Sequence, residues 1–291
     1  MATIVASVRS PVTPSQGSTA ELTTRLLALL EKMTDQADPD DVHKLRTTVR
    51  RVEVRLTHCP PKVAKSLRSL RKQAGKVRDI DVHLDLLKAP LFTAPAPAGG
   101  AASVRDQLRG ALKSKRTRHE DSLLHLVGDA APLLESKLPK VVRQSAVPEP
   151  DASNVRQRTA EARQRFLQWT RNIPEAGAQL HRLRIDAKKL RYSLEPLSAF
   201  AEAAEMADRL KQVQDAIGSW HDWATLLELA CRELGSPNSE PAYAALEARV
   251  TREFNKAHRT TERVRQWMES AKPAAPASRV NSSQNLIRKA G

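Results

Sequence analysis

Residues 42–56, VHKLRTTVRRVEVRL, and residues 180–194, LHRLRIDAKKLRYSL, align without a gap at an offset of 138 (180 − 42). His43 falls on His181. Val42, Leu45, Val52 and Leu56 fall on Leu180, Leu183, Leu190 and Leu194, and Lys44, Arg46, Arg50 and Arg51 fall on Arg182, Arg184, Lys188 and Lys189. Downstream, GKVRDIDV (75–82) matches GSWHDWAT (218–225) at an offset of 143 (218 − 75), so that Gly75 meets Gly218, Arg78 meets His221 and Asp79 meets Asp222. The five-residue change of offset fits one loop or kink, which Pro196 supplies. Self-similarity of this kind predicts two related helical halves, each too small for a generous core, packed together with approximate two-fold symmetry.

On a helical wheel of about 100° per residue, Val42, Leu45, Val49, Val52 and Leu56 occupy about 280–360° and form a core stripe. His43, Arg46 and Arg50 adjoin that stripe at about 100°, 40° and 80°. Lys44, Arg51 and Arg55 make a second basic stripe at about 180–220°. The repeat places His181, Arg184 and Lys188 on the first stripe and Arg182 and Lys189 on the second, with Arg191 and Tyr192 flanking the first. Each window holds five Lys/Arg against one acid, Glu53 or Asp186, so pairing inside the helix cannot neutralise it. Stacked like charges destabilise a helix by a few tenths of a kcal/mol per pair. A solvated face with acids supplied by other helices accounts for one such helix. Building it twice, each time with a His beside the core stripe, points to an external polyanion.

The next helix extends the pattern. Lys62, Lys65, Arg68, Arg71, Lys72, Lys76 and Arg78 all precede the first acid, Asp79, while Val63, Leu67, Leu70, Ala74 and Val77 supply an apolar face. Arg105, Arg109, Lys113, Lys115, Arg116 and Arg118 read instead as peripheral solvated charges. Asp79 and Asp222 are expected to orient a repeated Arg or His from a facing helix, and Trp220 and Trp223, at i and i+3, to pack rather than stack on a ligand.

Composition agrees with this pattern. Lys and Arg total 48 against 33 Asp and Glu in 291 residues, a formal charge of +15 that calls for a polyanionic partner or an anionic surface. Apolar residues make up 40% of the chain, enough for a core, and being Leu, Ala and Val with 3% aromatics they suit helices better than sheets. No apolar run approaches the ~18 residues of a membrane span. The first twenty residues lack the hydrophobic stretch of a secretory signal. They are Ser/Thr-rich with no acid, a floppy tail or, alternatively, a short transit peptide. Cys59 and Cys231 have no Cys neighbour at metal spacing and read as reduced core thiols of a cytosolic protein.

Pro and Gly set the expected boundaries. Residues 1–18 are a tail, and Leu22, Leu26, Leu29, Leu30 and Met33 mark a first helix. Asp38-Pro39 starts the second helix, and Pro60-Pro61 ends it and opens a third running towards Gly75. A fourth carries 78–87, a linker covers 89–103, and helix resumes at Val104 with breaks near 128–132 and 147–150. A long helix starts near Asn154, another covers 178–195, and further helices cover 204–216, 219–234 and 239–270 before a basic tail at 271–291. No strand alternation is visible.

HKLRTTVRR (43–51), GKVRDIDV (75–82), LHRLRIDAKKLRYSLE (180–195) and the weaker LKQVQDAIGSWHD (210–222) resemble the CHAD family, the conserved histidine α-helical domain. The resemblance spans about residues 20–270, and its second His-Arg-Lys block is the most specific part. It implies an all-α fold of two pseudo-symmetric antiparallel four-helix bundles around a basic cleft or pore, in a domain of residues 19–270 with halves at about 19–150 and 151–270. It also implies inorganic polyphosphate as ligand and association with polyphosphate granules in the cytoplasm. Nothing outside 20–270 is long enough for the CYTH triphosphatase domain often fused to CHAD domains, so a stand-alone protein is expected. The polyphosphate-binding residues expected on the repeated Lys/Arg/His helix faces are His43, Lys44, Arg46, Arg50, Arg51, Lys72, Lys76 and Arg78, with His181, Arg182, Arg184, Lys188, Lys189, Arg191 and His221. The second copy departs from the first in carrying His221 where the first has Arg78.

Polyphosphate is a flexible chain with about one strong-acid charge per internal phosphate and no bases. It needs cations and donors along a groove, and Arg can fork two N–H groups onto phosphate oxygens. Few aromatics argue against single-stranded nucleic acid, where each stacked base adds about 1–3 kcal/mol. Nonspecific duplex binding at low salt is the alternative for so basic a chain. A phosphohistidine or polyphosphate-processing enzyme is the third reading. No P-loop, paired-carboxylate or nucleotide-binding glycine motif supports it, so no catalytic residue, metal or cofactor is expected. A metal at His43 or His181 is disfavoured by the flanking Lys44, Arg46, Arg182 and Arg184.

Overall fold

Ser18 and Asp38 start the first two helices with side-chain caps. The computed structural model describes residues 18–56, 58–93, 100–145, 152–173, 177–234 and 241–270. The expected tails at 1–17 and 271–291 lie outside these residues. In α1 (Thr19–Lys32), Ser18 Oγ accepts from the Glu21 N–H at 3.1 Å, and Glu21 Oε2 accepts from the Ser18 N–H at 2.8 Å. Ser18, expected at the end of the tail, is thus half of a capping box. In α2 (Pro39–Arg55), Asp38 Oδ1 accepts from the Asp40 N–H at 2.8 Å, with Pro39 at the first helical position as the sequence indicates.

Three expected breaks are absent. The third and fourth expected helices are one, α3 (Pro61–Leu86), continuous through Gly75. A four-residue turn, α4 (Pro90–Thr93), follows inside the expected linker. Helix α5 (Gly100–Gln144) runs through Gly128, Pro132 and Pro139. Its buried Leu123, Val127, Ala130, Leu134, Leu138 and Val141 keep three- and four-residue spacing across both prolines. Burying each Leu or Val is worth about 1.5–3 kcal/mol, which offsets the ~3 kcal/mol of an interior Pro. After α6 (Ala152–Trp169), α7 (Gly177–Leu194) ends in a one-turn 3-10 helix at Glu195–Leu197, where Pro196 was expected to interrupt it. The expected helices 204–216 and 219–234 are one, α8 (Ala201–Leu234), and α9 (Pro241–Ser270) is the last. No β-strand occurs among the described residues.

Three apolar clusters hold these helices. The first joins α1, α2, most of α3 and the second half of α5 around Leu26, Leu45, Leu67 and Leu134. The second joins α6, α7, the first half of α8 and the end of α9 around Phe166, Leu180, Leu210 and Val264. The third joins the end of α3, α4, the start of α5, the end of α8 and the start of α9, through Ile80, Phe92, Leu108, Trp223 and Leu246. Trp220 meets Phe254 edge-on at 5.9 Å, so both tryptophans pack in cores as expected. Cys59 and Cys231 are free and half-buried at core edges.

Arg116 is not the solvated charge its neighbours suggested. Its Nε donates to the buried Asp81 at 2.7 Å, its Nη2 to the Ala37 carbonyl at 2.7 Å, and its Nη1 to Glu120. Glu120 Oε1 in turn accepts from the Ala37 N–H at 2.8 Å. This network clamps the α1–α2 loop and α3 to α5. The other consequence of the fold lies at the repeat: α2 lies on α3, α7 lies on α8, and α2 touches α7.

Candidate functional site

The first basic stripes of the two repeat helices meet where α2 approaches α7. Arg46 and Arg50 of α2 and Arg184 and Arg191 of α7 surround Lys188 closely enough that, with burial as the larger cause, they hold its ammonium down at about 7. Among the described residues Lys188 has no carboxylate partner. His43 lies beside Arg78, Arg46 and Lys188, and burial first, then these cations, lower its pKa. Residues 138 positions apart in sequence therefore form one desolvated cationic cluster.

Each repeated glycine makes room for a repeated arginine. A Cβ on Gly75 would stand 3.6 Å from Arg46 Nε, and a Cβ on Gly218 would stand 3.3 Å from Arg184 Nε. Each arginine also faces the acid four residues further on. Arg46 Nη1 lies 3.6 Å from Asp79 Oδ1. Burial raises Asp222 to about 6, opposed first by the Arg184 charge and reinforced by the nearby Asp79. The two aspartates thus approach each other across α3 and α8, a carboxylate pair that sequence spacing did not reveal. Both lie beside the arginines, Arg46 and Arg184, that occupy the repeated position on α2 and α7.

The departure at His221 has a structural counterpart. Arg78 sits beside His43, and His221 sits against His181 with ring centroids 4.4 Å apart. Burial, then His181 and Arg184, lower His221 to about 4, so both imidazoles are neutral near pH 7. Among the described residues His181 Nδ1 and Arg184 Nε have no hydrogen-bond partner, and both are buried. Unsatisfied buried donors and acceptors cost about 1–3 kcal/mol each, a cost the fold carries at both atoms. His83, which the sequence gave no reason to select, shares a 2.9 Å hydrogen bond with Thr225 Oγ1 between α3 and α8.

The second stripes go elsewhere. Lys44 is exposed and 3.7 Å from Asp41, Arg51 Nε lies 3.4 Å from Glu195, and Arg182 and Lys189 lie 3.7 and 3.2 Å from Asp186. Arg191 donates to Glu195 Oε1 at 2.8 Å and to Gln214 Oε1 at 3.0 Å. Lys72 and Lys76 are exposed on α3. Of the fifteen residues expected at the site, His43, Arg46, Arg50, Arg78, His181, Arg184, Lys188 and His221 share the cluster, and Arg191 borders it.

A groove of about 1110 Å³ lies away from this cluster, between α6, α8 and α9. Arg156, Arg163, Arg171 and Arg265 line it together with Glu202, Glu205 and Glu269. Arg265 is bound by Glu262 and Glu269, and Glu202 Oε1 accepts from Thr159. Among the described residues no trio of His, Cys, Asp or Glu gathers as a metal-binding group, and no helix is long and apolar enough to cross a membrane.

Comparison with known proteins agrees with the fold. The sequence profile of the CHAD domain matches residues 19–231. The structure is similar to the crystal structure of the CHAD domain from the plant Ricinus communis, with 19% identity, a TM-score of 0.62, and coverage of 90% of this chain and 91% of that one. It is also similar to PptA from Streptomyces chartreusis, with 17% identity, a TM-score of 0.61, and coverage of 87% and 96%. No curated protein matches the sequence.

Proposed function

The chain belongs to the CHAD family, and from that premise we propose that it binds inorganic polyphosphate, without altering it chemically, at the α2–α7 cationic cluster. The observation that carries this reading is Lys188, crowded by four arginines, partly stripped of its proton and left without a carboxylate. A fold gains nothing from that arrangement. A polyanion repays it, because each phosphate entering the cluster relieves several repulsions at once and can accept from more than one guanidinium.

The cluster suits a thin, base-free chain. Its cations come from α2 and α7, with Arg78 from α3, and its unpaired polar atoms, Arg184 Nε and His181 Nδ1, lie buried below the surface. A rigid ~20 Å duplex reaches surface cations more readily than recessed ones. Asp79 and Asp222 sit against the two arginines that run over the glycines. In this reading they orient those guanidiniums, and the site binds rather than reacts. Association with cytoplasmic polyphosphate granules follows as part of the same proposal.

A titration tests it. Long-chain polyphosphate, pyrophosphate, orthophosphate and duplex DNA are compared at equal charge concentration and ~150 mM salt. Tight binding of long polyphosphate, with weak binding of the two short anions and of DNA, is expected. Equal or tighter binding of DNA overturns the reading in favour of a nucleic-acid ligand. Turnover of polyphosphate by the pure protein overturns its non-catalytic part.

A further inference from the structure

We propose that Glu195 is a positioning residue for the polyanion site, holding Arg50 ready through Arg191 and Tyr192. Pro196 ends α7 and turns the chain into the 3-10 helix that starts at Glu195, leaving this carboxylate 7% exposed between α7 and α2. Its Oε1 accepts from Arg191 Nη1 at 2.8 Å, and its Oε2 lies 3.4 Å from Arg51 Nε. Gln214 of α8 takes the Nε of Arg191 at 3.0 Å, so the Arg191 guanidinium is held on two sides. That guanidinium lies over the buried Tyr192 ring, 4.4 Å from its centroid. Arg50 of α2 lies over the same ring at 5.5 Å.

Glu195 therefore acts on Arg50 twice. Through Arg51 it pins the neighbouring residue of α2, and through Arg191 and Tyr192 it fixes the aromatic surface on which Arg50 rests. Among the described residues Arg50 has no carboxylate partner, and it contributes to the repulsion at Lys188. A guanidinium held in place before binding spares the ordering cost of a long side chain when phosphate arrives. This role rests on the polyphosphate reading above.

The test exploits the sign of the charge change. Glu195→Gln makes the protein more positive by one, so net electrostatics alone tightens polyphosphate binding. Positioning predicts the reverse: binding weakened by about tenfold, with a shallower slope of log Kd against log salt because a phosphate contact is lost. Asp129→Asn makes the same charge change on the exposed side of α5, where Asp129 is 65% exposed, and should leave binding unchanged or slightly tighter. Tyr192→Leu removes the ring and no charge, and should weaken binding in the same way even where Glu195→Gln folds poorly. Melting curves identify which variants are folded. Wild-type protein that fails to bind polyphosphate removes the function reading itself. Wild-type protein that binds, with Glu195→Gln and Tyr192→Leu both binding as tightly, removes only the positioning role.

Discussion

Replacing Lys188 by Met should stabilise the protein and weaken its ligand binding at the same time. Burial and the neighbouring arginines bring the ammonium from 10.5 down to about 7, a charging penalty of about 5 kcal/mol at 1.36 kcal/mol per pH unit. Hydration of the part-exposed side chain and movement of the guanidiniums recover a share, leaving a gain of about 2 kcal/mol for the uncharged Met at pH 6. That is a rise of about 4–8 °C in melting midpoint for a domain of this size. The folded pKa lies below the unfolded one, so the penalty is fully present below pH 7 and is relieved as pH rises towards 10.5. Wild-type stability should therefore climb relative to Lys188→Met from pH 7 to 10, and the two should converge there. Thermal unfolding followed by circular dichroism at pH 6, 8 and 10 reads this directly. In the same samples, losing one charge-assisted contact of about 1.5–3 kcal/mol should weaken polyphosphate binding at least tenfold. A Met variant less stable than wild type at pH 6, or one that binds polyphosphate equally well, refutes the reasoning.

Three further outcomes follow from the geometry. Polyphosphate affinity should fall from pH 7 to pH 9, approaching about tenfold per pH unit, because bound polyanion draws onto Lys188 a proton that the free site has already lost; a flat profile by titration calorimetry contradicts this. Gly218→Ala places a Cβ 3.3 Å from Arg184 Nε and should weaken binding, whereas Gly75→Ala meets Arg46 at an ordinary 3.6 Å and should add up to about 1 kcal/mol of helix stability with binding intact. Equal effects of the two alanines on titration and melting would falsify that asymmetry. Arg116→Ala strands the buried Asp81 and frees the Ala37 carbonyl, and should lower stability by about 3 kcal/mol in denaturant unfolding; a loss under 1 kcal/mol contradicts the clamp.

The repeat helices were legible because both periodicities survive in 15 residues: an apolar stripe to bury and a cationic stripe beside it. Helix breaks were not. Gly75, Gly218, Pro132 and Pro139 are local stop signals, but tertiary packing overrode all four. Two of them, the glycines, sit mid-helix because an arginine crosses there, which no local rule can express. The division of labour between the two basic stripes was partly visible. Asp186 lies inside the second window and pairs with Arg182 and Lys189. Asp41 and Glu195, which take Lys44 and Arg51, lie one residue outside the windows compared. Asp79 and Asp222 were visible as repeated acids. Their mutual approach depends on α3 packing on α8, and no spacing in the sequence encodes it.

The central claim is that polyphosphate is held by the repeated first stripe and not by the overall charge of +15. One comparison tests it. Arg46, Arg50, Arg184 and Lys188 are replaced together by Ala in one variant. Arg105, Arg109, Lys113 and Arg118 are replaced in another, sparing the clamp residue Arg116. Each variant removes four basic side chains. Polyphosphate Kd is then measured from ~50 to ~300 mM salt, with helicity checked by circular dichroism. The account predicts that the first variant loses most of its affinity and shows a markedly shallower salt slope, while the second stays near wild type on both. Equal weakening of the two variants would make affinity a net-charge effect and contradict the claim that the stripes form a site.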